Sequence, residues 1–410
     1  MSESVPLPSE EKLQPSFDVD EYEVEKETDA AGTIKATRTK TALSKTEWIH
    51  IALGVVGLIP WVLQGTSGAL LVFEEDIDRW IHHDAITVSS EGPALDLDAQ
   101  LDRLEQQRPG TVRYVYGVRL PDDEREATLF LAKPNKEVGP RRGVRYAVDP
   151  YTGNVRLEQR YGETFTGRIY NFHRTFCLPP WGAWITSTSA ILLAIASFGG
   201  IVLALRRFRA RRRRAQRPKS RWLHQRIGAL VAPIVMIIAL NGVIVTYRGV
   251  ANKVIFAVTR TDEPESMRQR DFRLEVPEGQ ARIPLDDLIA MAKEREPAAM
   301  PRVLLQPRVD GRPVTVMLQK PNETRDIGGT FLIMNPYSGE TMERIDFTDG
   351  ALGPRVIYWT LHLHKGTWGG VLFGRWGALA TRVLWVVAAL CVPLLALSGF
   401  RWWWVRRRQM

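Results

Sequence analysis

The chain has few side chains that could build a metal centre or a covalent catalytic site. Its 410 residues include two cysteines, Cys177 and Cys391, and seven histidines. Two thiols are too few for a zinc or iron–sulfur centre built on cysteine. The motifs Gly-x-Ser-x-Gly and His-Glu-x-x-His, the phosphate-binding P-loop and the dinucleotide-binding Gly-x-Gly-x-x-Gly are also missing. The chain therefore has no dinucleotide-binding motif of its own, so the electrons for any redox reaction would have to come from a partner or from a membrane pool.

Charged residues are missing from long stretches of the chain, which predicts membrane spans. Residues 48–73 form a run of 26 without a formal charge, and about 20 apolar residues suffice to cross a hydrocarbon core. Pro60 lies within this run and predicts a kink. Three further apolar segments predict spans at residues 181–205, 227–247 and 383–400. The expected fold is therefore an α-helical membrane protein with four transmembrane helices.

Acidic residues are absent from residues 206–221, which contain ten Lys and Arg side chains. Between two spans, such a block predicts a cytoplasmic loop that can touch anionic lipid, and we do not expect nucleic-acid binding. Both termini are then cytoplasmic, and both polar blocks lie outside, in the periplasm of a Gram-negative cell. Residues 1–46 are polar and acidic without hydrophobic periodicity, which predicts a disordered tail.

Each polar block predicts one helix followed by short strands. In the first block the helix is 97–107, and the strands are 111–119, 127–133, 144–149 and 154–158. In the second block the helix is 285–295, and the strands are 302–306, 314–320, 330–334 and 340–345. The turn Asp149-Pro150-Tyr151-Thr152-Gly153 recurs as Asn335-Pro336-Tyr337-Ser338-Gly339. The chain is thus predicted to repeat one unit, made of a span, a periplasmic α+β domain and a span, with a pseudo-two-fold axis along the membrane normal.

These observations divide the chain into nine segments. They are a disordered cytoplasmic tail (1–46), the first span (47–76), a periplasmic domain (77–178), the second span (179–206), a basic cytoplasmic loop (207–221), the third span (222–248), a second periplasmic domain (249–372), the fourth span (373–404) and a cytoplasmic C-terminus (405–410). The two cysteines fall at different depths in this topology, so we expect no disulfide between them.

A short phrase, Trp-x-His-x-x-x-Gly, opens both the first and the third span. It places His50 and His224 at equivalent positions, 174 residues apart, and Gly68 falls on Gly242 at the same offset. Ionisable side chains inside a membrane are costly and are usually functional. Two such imidazoles, related by an internal two-fold, can bind one haem iron from opposite faces.

A second group of histidines is predicted at the outer side of the membrane. His173 precedes the second span, whereas His362 and His364 precede the fourth. We expect His173 to pair with His364, because His364 leads into a glycine-rich segment, and His362 is the alternative. Two haems would then lie one near each face. His82 and His83 fit a solvated interface or a weak metal contact. Each histidine alone also fits an interfacial anchor, and imidazoles can bind metals other than haem iron.

Three stretches of the chain resemble the PepSY-associated transmembrane family, the iron-regulated membrane proteins of bacteria. They are His50 with the span exit Gly68-Ala69-Leu70-Leu71-Val72-Phe73-Glu74, the two Pro-Tyr turns, and the lead into the last span, His364-Lys365-Gly366-Thr367-Trp368-Gly369-Gly370. The resemblance covers about residues 45–405. It implies two PepSY-like periplasmic domains and a location in the bacterial inner membrane.

The resemblance also implies an oxidoreductase activity, because similar members reduce ferric siderophores with b-type haem. The expected partners are a ferric siderophore, a cytoplasmic or quinol electron donor, and membrane lipid. Two alternatives stay open from the sequence. In the first, the outer domains are non-enzymatic binding or regulatory modules and the spans are anchors. In the second, the protein is a quinol-oxidising cytochrome with an acceptor other than iron.

Overall fold

The architecture is taken from a computed structural model, which describes residues 22–28, 34–40, 43–89, 92–134, 143–209, 219–268, 273–321, 323 and 328–408. Within these ranges the helices are α1 (Lys45–Val56), α2 (Leu58–Leu71), α3 (Glu74–Ile81), α4 (His83–Ile86), α5 (Leu97–Gln107), α6 (Phe165–Thr175), α7 (Gly182–Arg209), α8 (Lys219–Thr246), α9 (Arg248–Thr259), α10 (Glu265–Arg268), α11 (Leu285–Arg295), α12 (Leu352–Lys365) and α13 (Trp368–Arg408). The strands are β1 (Tyr22–Thr28), β2 (Ile34–Lys40), β3 (Val112–Arg119), β4 (Thr128–Pro134), β5 (Val144–Val148), β6 (Val155–Arg160), β7 (Met300–Leu305), β8 (Val314–Gln319), β9 (Thr330–Met334) and β10 (Thr341–Asp346).

Three helical segments are long and apolar enough to cross a membrane, by length and composition. They are Gly182–Arg206, Trp222–Thr246 and Leu352–Val405. The pair α1 and α2 would make a fourth if it is counted as one span, although its two helices meet at an angle of 67°. The spans share a core of small and apolar side chains that centres on Trp61, Val235 and Val392. Many other apolar side chains on these helices are exposed, as lipid-facing residues would be.

The bend in the first apolar run lies at Gly57, three residues before Pro60. Proline has no amide hydrogen to donate to residue 56, and its ring crowds that carbonyl. Helix α1 therefore ends at Val56, and Pro60 occupies the first turn of α2, where the missing donor costs little. Gly57 also makes room for Trp61, since a Cβ at Gly57 would lie 2.2 Å from the indole ring. The kink predicted from Pro60 is present, but it is a break between two helices.

Two other spans differ at their ends from the sequence-based boundaries. Helix α8 begins at Lys219, inside the predicted basic loop, of which residues 210–218 lie outside the described residues. Helix α13 begins at Trp368 and runs to Arg408, with a non-helical break at Phe373 and Gly374. Gly374 has a φ of +63°, a backbone conformation that glycine adopts without strain. The long apolar segments predicted where these helices lie. Charged residues at their ends extend the helices beyond the predicted boundaries.

The strands of both polar blocks form one antiparallel sheet in the order β10-β9-β8-β7-β3-β4-β5-β6. The sequence predicted two separate sheets, and this part of the prediction is wrong. Strands β3 and β7 pair directly, with Val118 opposite Leu304. Each block alone would leave its first strand as an unpaired edge, and pairing the two edges satisfies both rows of backbone groups.

Helices α5 and α11 lie in the same core of this sheet and contact each other reciprocally. The amide of Leu97 donates to the Asp286 carboxylate at 2.8 Å, and the amide of Leu285 donates to the Asp98 carboxylate at 2.7 Å. Each helix thus supplies a carboxylate for the first amide of the other, where orphan donors and the helix dipole favour negative charge. Leu101 and Leu288 are buried in the shared core.

A polar network connects the end of the first apolar run to the sheet. Thr166 donates to the Asp78 carboxylate at 2.6 Å, and Arg145 of β5 approaches the same carboxylate at 3.4 Å. The Tyr161 hydroxyl donates to Glu74. Burial raises the pKa of the Glu74 carboxyl above its usual value, and the hydrogen bond from Tyr161 offsets only part of this effect. These contacts fix the orientation of α3 against the sheet.

The N-terminal segment is not wholly irregular, in contrast to the predicted disordered tail. Strands β1 and β2 pair antiparallel, from Tyr22 opposite Lys40 to Thr28 opposite Ile34. By sequence the first strand is rich in Glu, whereas the second carries Lys and Arg and three β-branched residues, and opposite charges on paired strands favour such a hairpin. Residues 1–21, 29–33 and 41–42 of the predicted tail lie outside the described residues.

Candidate functional site

Four histidines from four helices meet as two pairs. The ring centroids of His50 on α1 and His224 on α8 are 6.3 Å apart, with 77° between the ring planes. Those of His173 on α6 and His364 on α12 are 6.4 Å apart, with 48° between the planes. The structure therefore brings together the residues that the sequence had paired, although the residues in each pair are far apart along the chain.

The two pairs lie near opposite ends of the helix bundle. His224 is close to the start of α8, and the His364 ring contacts Gly242 near the end of the same helix. The 18 residues between these positions correspond to about 27 Å of helix at 1.5 Å per residue. A group held by the His50/His224 pair would therefore lie near one end of the apolar layer, and a group held by the His173/His364 pair would lie near the other end.

In the His50/His224 pair, each ring is held through its Nδ1 atom by a neighbouring span. The Nδ1 of His50 is 3.0 Å from the backbone oxygen of Ala196 on α7. The Nδ1 of His224 is 3.0 Å from the Ser398 hydroxyl on α13. The Ser398 hydroxyl in turn donates to the Leu395 carbonyl at 3.1 Å.

The His173/His364 pair is held in the same way. The Nδ1 of His364 is 3.0 Å from the backbone oxygen of Ile238 on α8. The Nδ1 of His173 is 3.0 Å from the Ser67 hydroxyl on α2, and this hydroxyl donates to the Leu63 carbonyl at 2.7 Å. Each pair thus has one ring on a backbone carbonyl and one ring on a serine.

The carbonyl partners fix the proton on Nδ1 of two rings. A carbonyl has no proton, so His50 and His364 must donate from Nδ1. A serine hydroxyl can donate or accept; with the Ser67 and Ser398 protons assigned to helix carbonyls, the serine oxygens accept from Nδ1 of His173 and His224. In a neutral ring with a proton on Nδ1, Nε2 is the nitrogen that can bind a metal.

Glycines make room for each ring against the neighbouring helix. A Cβ at Gly68 would lie 3.0 Å from Cε1 of His173, and one at Gly242 would lie 3.0 Å from Cε1 of His364. The corresponding distances are 3.1 Å for Gly399 against His224 and 3.4 Å for Gly200 against His50. Three of these distances are tighter than an ordinary carbon contact, so side chains at these positions would displace the rings.

The helices that carry His173 and His364 are anchored to the spans that follow them. The Thr186 hydroxyl of α7 donates to the backbone oxygen of Arg174 at 2.7 Å, and that of Thr381 of α13 donates to the backbone oxygen of Gly366 at 2.6 Å. Helix α12 ends at Gly366 with a φ of +75°, where a Cβ would meet Trp385 at 2.6 Å. The same indole donates to the Leu363 carbonyl at 2.7 Å.

A cavity of about 1090 Å³ lies beside the His50/His224 pair, and both rings line it. This volume is at or slightly above the upper end of typical small-molecule pockets, roughly 300–1,000 Å³. Its wall is mostly apolar and includes Trp61 and Trp402. Arg206 and Arg226 also line it, as does Glu47, the one acidic residue that the described part of the chain contributes to the wall. The cavity can therefore hold a large, mainly apolar ligand with anionic groups.

The remaining histidines have other surroundings. His362 is buried, contacts the Tyr358 ring at a tilt of 54° with ring centroids 4.3 Å apart, and has its Nδ1 2.6 Å from the Thr367 hydroxyl. It is therefore His364, not the alternative His362, that the structure brings next to His173. His82 lies 2.7 Å from the Gln159 amide, and the exposed His83 lies 3.4 Å from the Thr87 hydroxyl.

Two imidazoles per pair cannot form a complete metal site from protein groups alone. Within the described part of the chain, no cluster of three or more His, Cys, Asp or Glu side chains is arranged to bind a metal ion. A tetrahedral zinc site needs three or four protein ligands. The pairs suit a metal whose other ligands come from a macrocycle. Cys177 and Cys391 are both free thiols in the structure.

Sequence reasoning missed the partners of the rings, although the chain carries a signal for them. Ser67-Gly68 and Ser398-Gly399 are both Ser-Gly dipeptides within helices. His50 and His364 each contact a backbone carbonyl and a glycine four residues further along the same helix. The carbonyl and glycine are those of Ala196 and Gly200 for His50, and those of Ile238 and Gly242 for His364. Because a helical side chain covers the turn before its own Cα, a glycine at i+4 uncovers that carbonyl.

The comparison with curated proteins finds no match to this chain. The family model described as the PepSY-associated TM region matches residues 47–406, which include all four paired histidines and both helix–sheet blocks. The protein therefore belongs to the PepSY-associated transmembrane family.

Proposed function

We propose that this protein is a multi-pass bacterial inner-membrane protein with four spans, the broken pair α1–α2 forming the first. The ten cations in residues 206–221 support a cytoplasmic location for that loop, which puts both termini inside and the sheet in the periplasm. Reciprocal contacts between equivalent elements, such as those of Asp98 and Asp286, support an internal repeat about a pseudo-two-fold axis along the membrane normal.

The two histidine pairs would each hold one haem b through their Nε2 atoms. The main observation behind this assignment is the distance between the ring centroids in each pair. With metal–nitrogen bonds of about 2.0 Å and a ring centroid roughly 1.1 Å behind each nitrogen, two imidazoles that hold one metal ion between them would have centroids about 6.2 Å apart. The separations in the structure are 6.3 and 6.4 Å. The proton on Nδ1 in all four rings agrees with this role, since such hydrogen bonds orient metal-bound histidines.

The reaction that fits these sites is electron transfer across the membrane to a ferric siderophore in the periplasm. Haem, when bound, supplies a one-electron redox centre. The residues of this chain hold the two sites near opposite ends of the bundle, orient the four imidazoles and surround them with apolar side chains. Reduction of the ferric substrate to Fe(II) weakens its binding by hard oxygen ligands, which releases the iron. The donor would be a cytoplasmic reductant or membrane quinol.

A reduced-minus-oxidised visible spectrum of the full-length protein in mild detergent tests the cofactor assignment. We expect a b-type α band and two haems per chain. Rapid reoxidation of the reduced protein by ferric siderophore, but not by the iron-free siderophore, would support the substrate. A colourless protein from cells that supply haem would favour the binding-module alternative. Reduction by quinol without reoxidation by ferric siderophore would favour a cytochrome with another acceptor.

Replacement of single histidines separates the two sites. We expect His50→Ala or His224→Ala to remove one haem per chain, and His173→Ala or His364→Ala to remove the other, because each iron would lose an axial ligand. His83→Ala is the matched control, since this exposed histidine lies outside both pairs. Haem content measured per chain should fall from two to one in the four variants and stay at two in the control. Unchanged haem content in the paired variants would count against the assignment.

A further inference from the structure

Two arginines in the wall of the cavity have no anionic partner among the described residues. Arg206 and Arg226 both line the cavity beside His50 and His224, and both are exposed. The Arg206 guanidinium donates to the Thr46 hydroxyl at 3.2 Å. The Arg226 guanidinium lies over the Trp222 ring, 4.6 Å from its centroid. Neither makes an ion pair within the part of the chain that the structure describes.

The one carboxylate in the lining has partners of its own. Glu47 accepts hydrogen bonds from the backbone amide and the hydroxyl of Ser44, at 3.0 and 2.9 Å, which close the capping box of α1. Among the described residues, the lining therefore carries two cations and one carboxylate that is already hydrogen-bonded, in a wall that is otherwise mostly apolar. Such a site favours a flat apolar ligand with negative groups at one edge.

We propose that Arg206 and Arg226 bind the two carboxylate side chains of the porphyrin at the His50/His224 site. This inference rests on the proposed haem sites. Arginine presents a planar fork of donors that matches a carboxylate, and its charge is permanent. Arg226 is already oriented by its stacking on Trp222, so less side-chain freedom is lost when it binds. The arrangement assigns the carboxylate edge of the ligand to the end of the cavity where α7 ends and α8 begins.

Two cations near the His173/His364 pair already have anionic partners. Lys365, next to His364, lies 3.4 Å from Glu75. Arg382 of α13 makes an ion pair with Asp76 and donates to the Val72 carbonyl at 3.0 Å. These two cations are thus neutralised by the acidic start of α3, so they are less available to a ligand carboxylate than Arg206 and Arg226 are.

The test compares haem b with its dimethyl ester, which lacks both negative charges. Full-length protein that carries His173→Ala is prepared without haem, so that the His50/His224 pair alone is titrated and followed by its absorption spectrum. We expect the diacid to bind at least about ten-fold more tightly than the diester, as one or two charge-assisted hydrogen bonds imply. R206Q/R226Q should bind both forms with the affinity of the diester.

Two further variants control for damage to the fold. R206K/R226K keeps the charges and should retain part of the preference for the diacid. R401Q removes a cation of α13 that lies between the lining residues Phe400 and Trp402 but does not itself line the cavity. This variant should retain the whole preference for the diacid. Equal binding of diacid and diester by the protein with both arginines, or an unchanged preference in R206Q/R226Q, would overturn the inference. Failure of both probes to bind would overturn the haem assignment itself.

Discussion

At the scale of single residues, the chemistry of the candidate sites depends on which group accepts the hydrogen bond from Nδ1 of each histidine. Each pair has one ring on a carbonyl and one on a serine, namely Ser398 for His224 and Ser67 for His173. A carbonyl acceptor cannot be removed by changing a side chain, but a serine can. The serine-bound rings are therefore the positions where mutation can alter a ring without removing it.

We predict that Ser67→Ala and Ser398→Ala raise the reduction potential of the haem at their own site. Loss of the acceptor makes the imidazole a weaker donor, which stabilises Fe(III) less than before. Metal affinity should fall roughly 10- to 100-fold, as is typical for such partners. Spectroelectrochemical titration measures the potential, and thermal release of haem compares the affinities.

The conservative variants show whether the hydroxyl itself is responsible. Ser67→Thr and Ser398→Thr keep an acceptor and should return the potential towards that of the unmodified protein. Thr66→Ala is a matched control on the same turn of α2, because the exposed Thr66 hydroxyl donates only to the Val62 carbonyl. An equal shift in Thr66→Ala and Ser67→Ala would argue that the serine acts only through helix packing.

At the scale of elements, the positions of the rings depend on helix contacts at glycine. Gly68 of α2 receives His173 from α6, and Gly242 of α8 receives His364 from α12. Helices α6 and α12 are themselves fixed by Thr186 and Thr381 of the following spans. Each of these two histidines thus lies on a helix that is fixed by two neighbouring apolar helices, and this arrangement restricts its ring to one orientation.

We predict that Gly68→Ala and Gly242→Ala weaken haem binding at the His173/His364 site roughly ten-fold or more. The added methyl group would lie 3.0 Å from each ring and must displace it. Alanine favours a helix over glycine, so weaker binding would not reflect a weaker helix. Thr66→Ala is the matched control, because Thr66 lies on the same turn of α2 and its side chain is exposed. Haem content and the low-spin absorption bands are the measurements, and equal losses in all three variants would contradict the explanation.

At the scale of the whole molecule, one sheet connects the two halves of the chain. The pairing of β3 with β7 and the reciprocal helix contacts of Asp98 and Asp286 hold the halves together on the side away from the His50/His224 cavity. The ion pairs of Lys365 with Glu75 and of Arg382 with Asp76 join them again near the His173/His364 pair. Each histidine pair takes one ring from each half, so the relative position of the halves sets the ring separation.

We predict that cysteines at Arg119 and Val303 form a disulfide under mild oxidation. These residues are opposite each other in the ladder, and hydrogen bonds from Leu120 and Gln306 to the other strand indicate that they form a non-hydrogen-bonded pair. The Cα atoms of such pairs are about 4.5 Å apart, within the range that a disulfide spans. The experiment uses full-length protein with Cys177→Ser and Cys391→Ser, and the cross-linked peptide is identified by mass spectrometry.

The control places the second cysteine two residues along the same strand. In R119C/L305C the diagonal separation is about 7–8 Å, too long for a relaxed disulfide. Efficient cross-linking of R119C/V303C but not of this control would support the register between the halves. Equal cross-linking, or none in either, would contradict the joined sheet.

Much of the fold could be predicted from the sequence because its signals are local. The helices Leu97–Gln107 and Leu285–Arg295 have the bounds that their apolar periodicity predicted, and the eight sheet strands are within two residues of their predicted starts. The helices α6, α9 and α12 were not predicted. Their apolar residues follow a helical period at least as strong as that of Leu285–Arg295, so the signal was present in the sequence and was missed.

The sequence by itself determined the apolar segments, the strands and the pairing of His50 with His224, since a repeated phrase places these two residues at equivalent positions. Only the tertiary structure decided that the two sheets are one, that His364 rather than His362 meets His173, and which serines and carbonyls hold the rings. These features join residues more than a hundred positions apart, as in His50 with Ala196 and Val118 with Leu304. They depend on how each helix is rotated and how each strand edge is matched, and local periodicity carries no information about either.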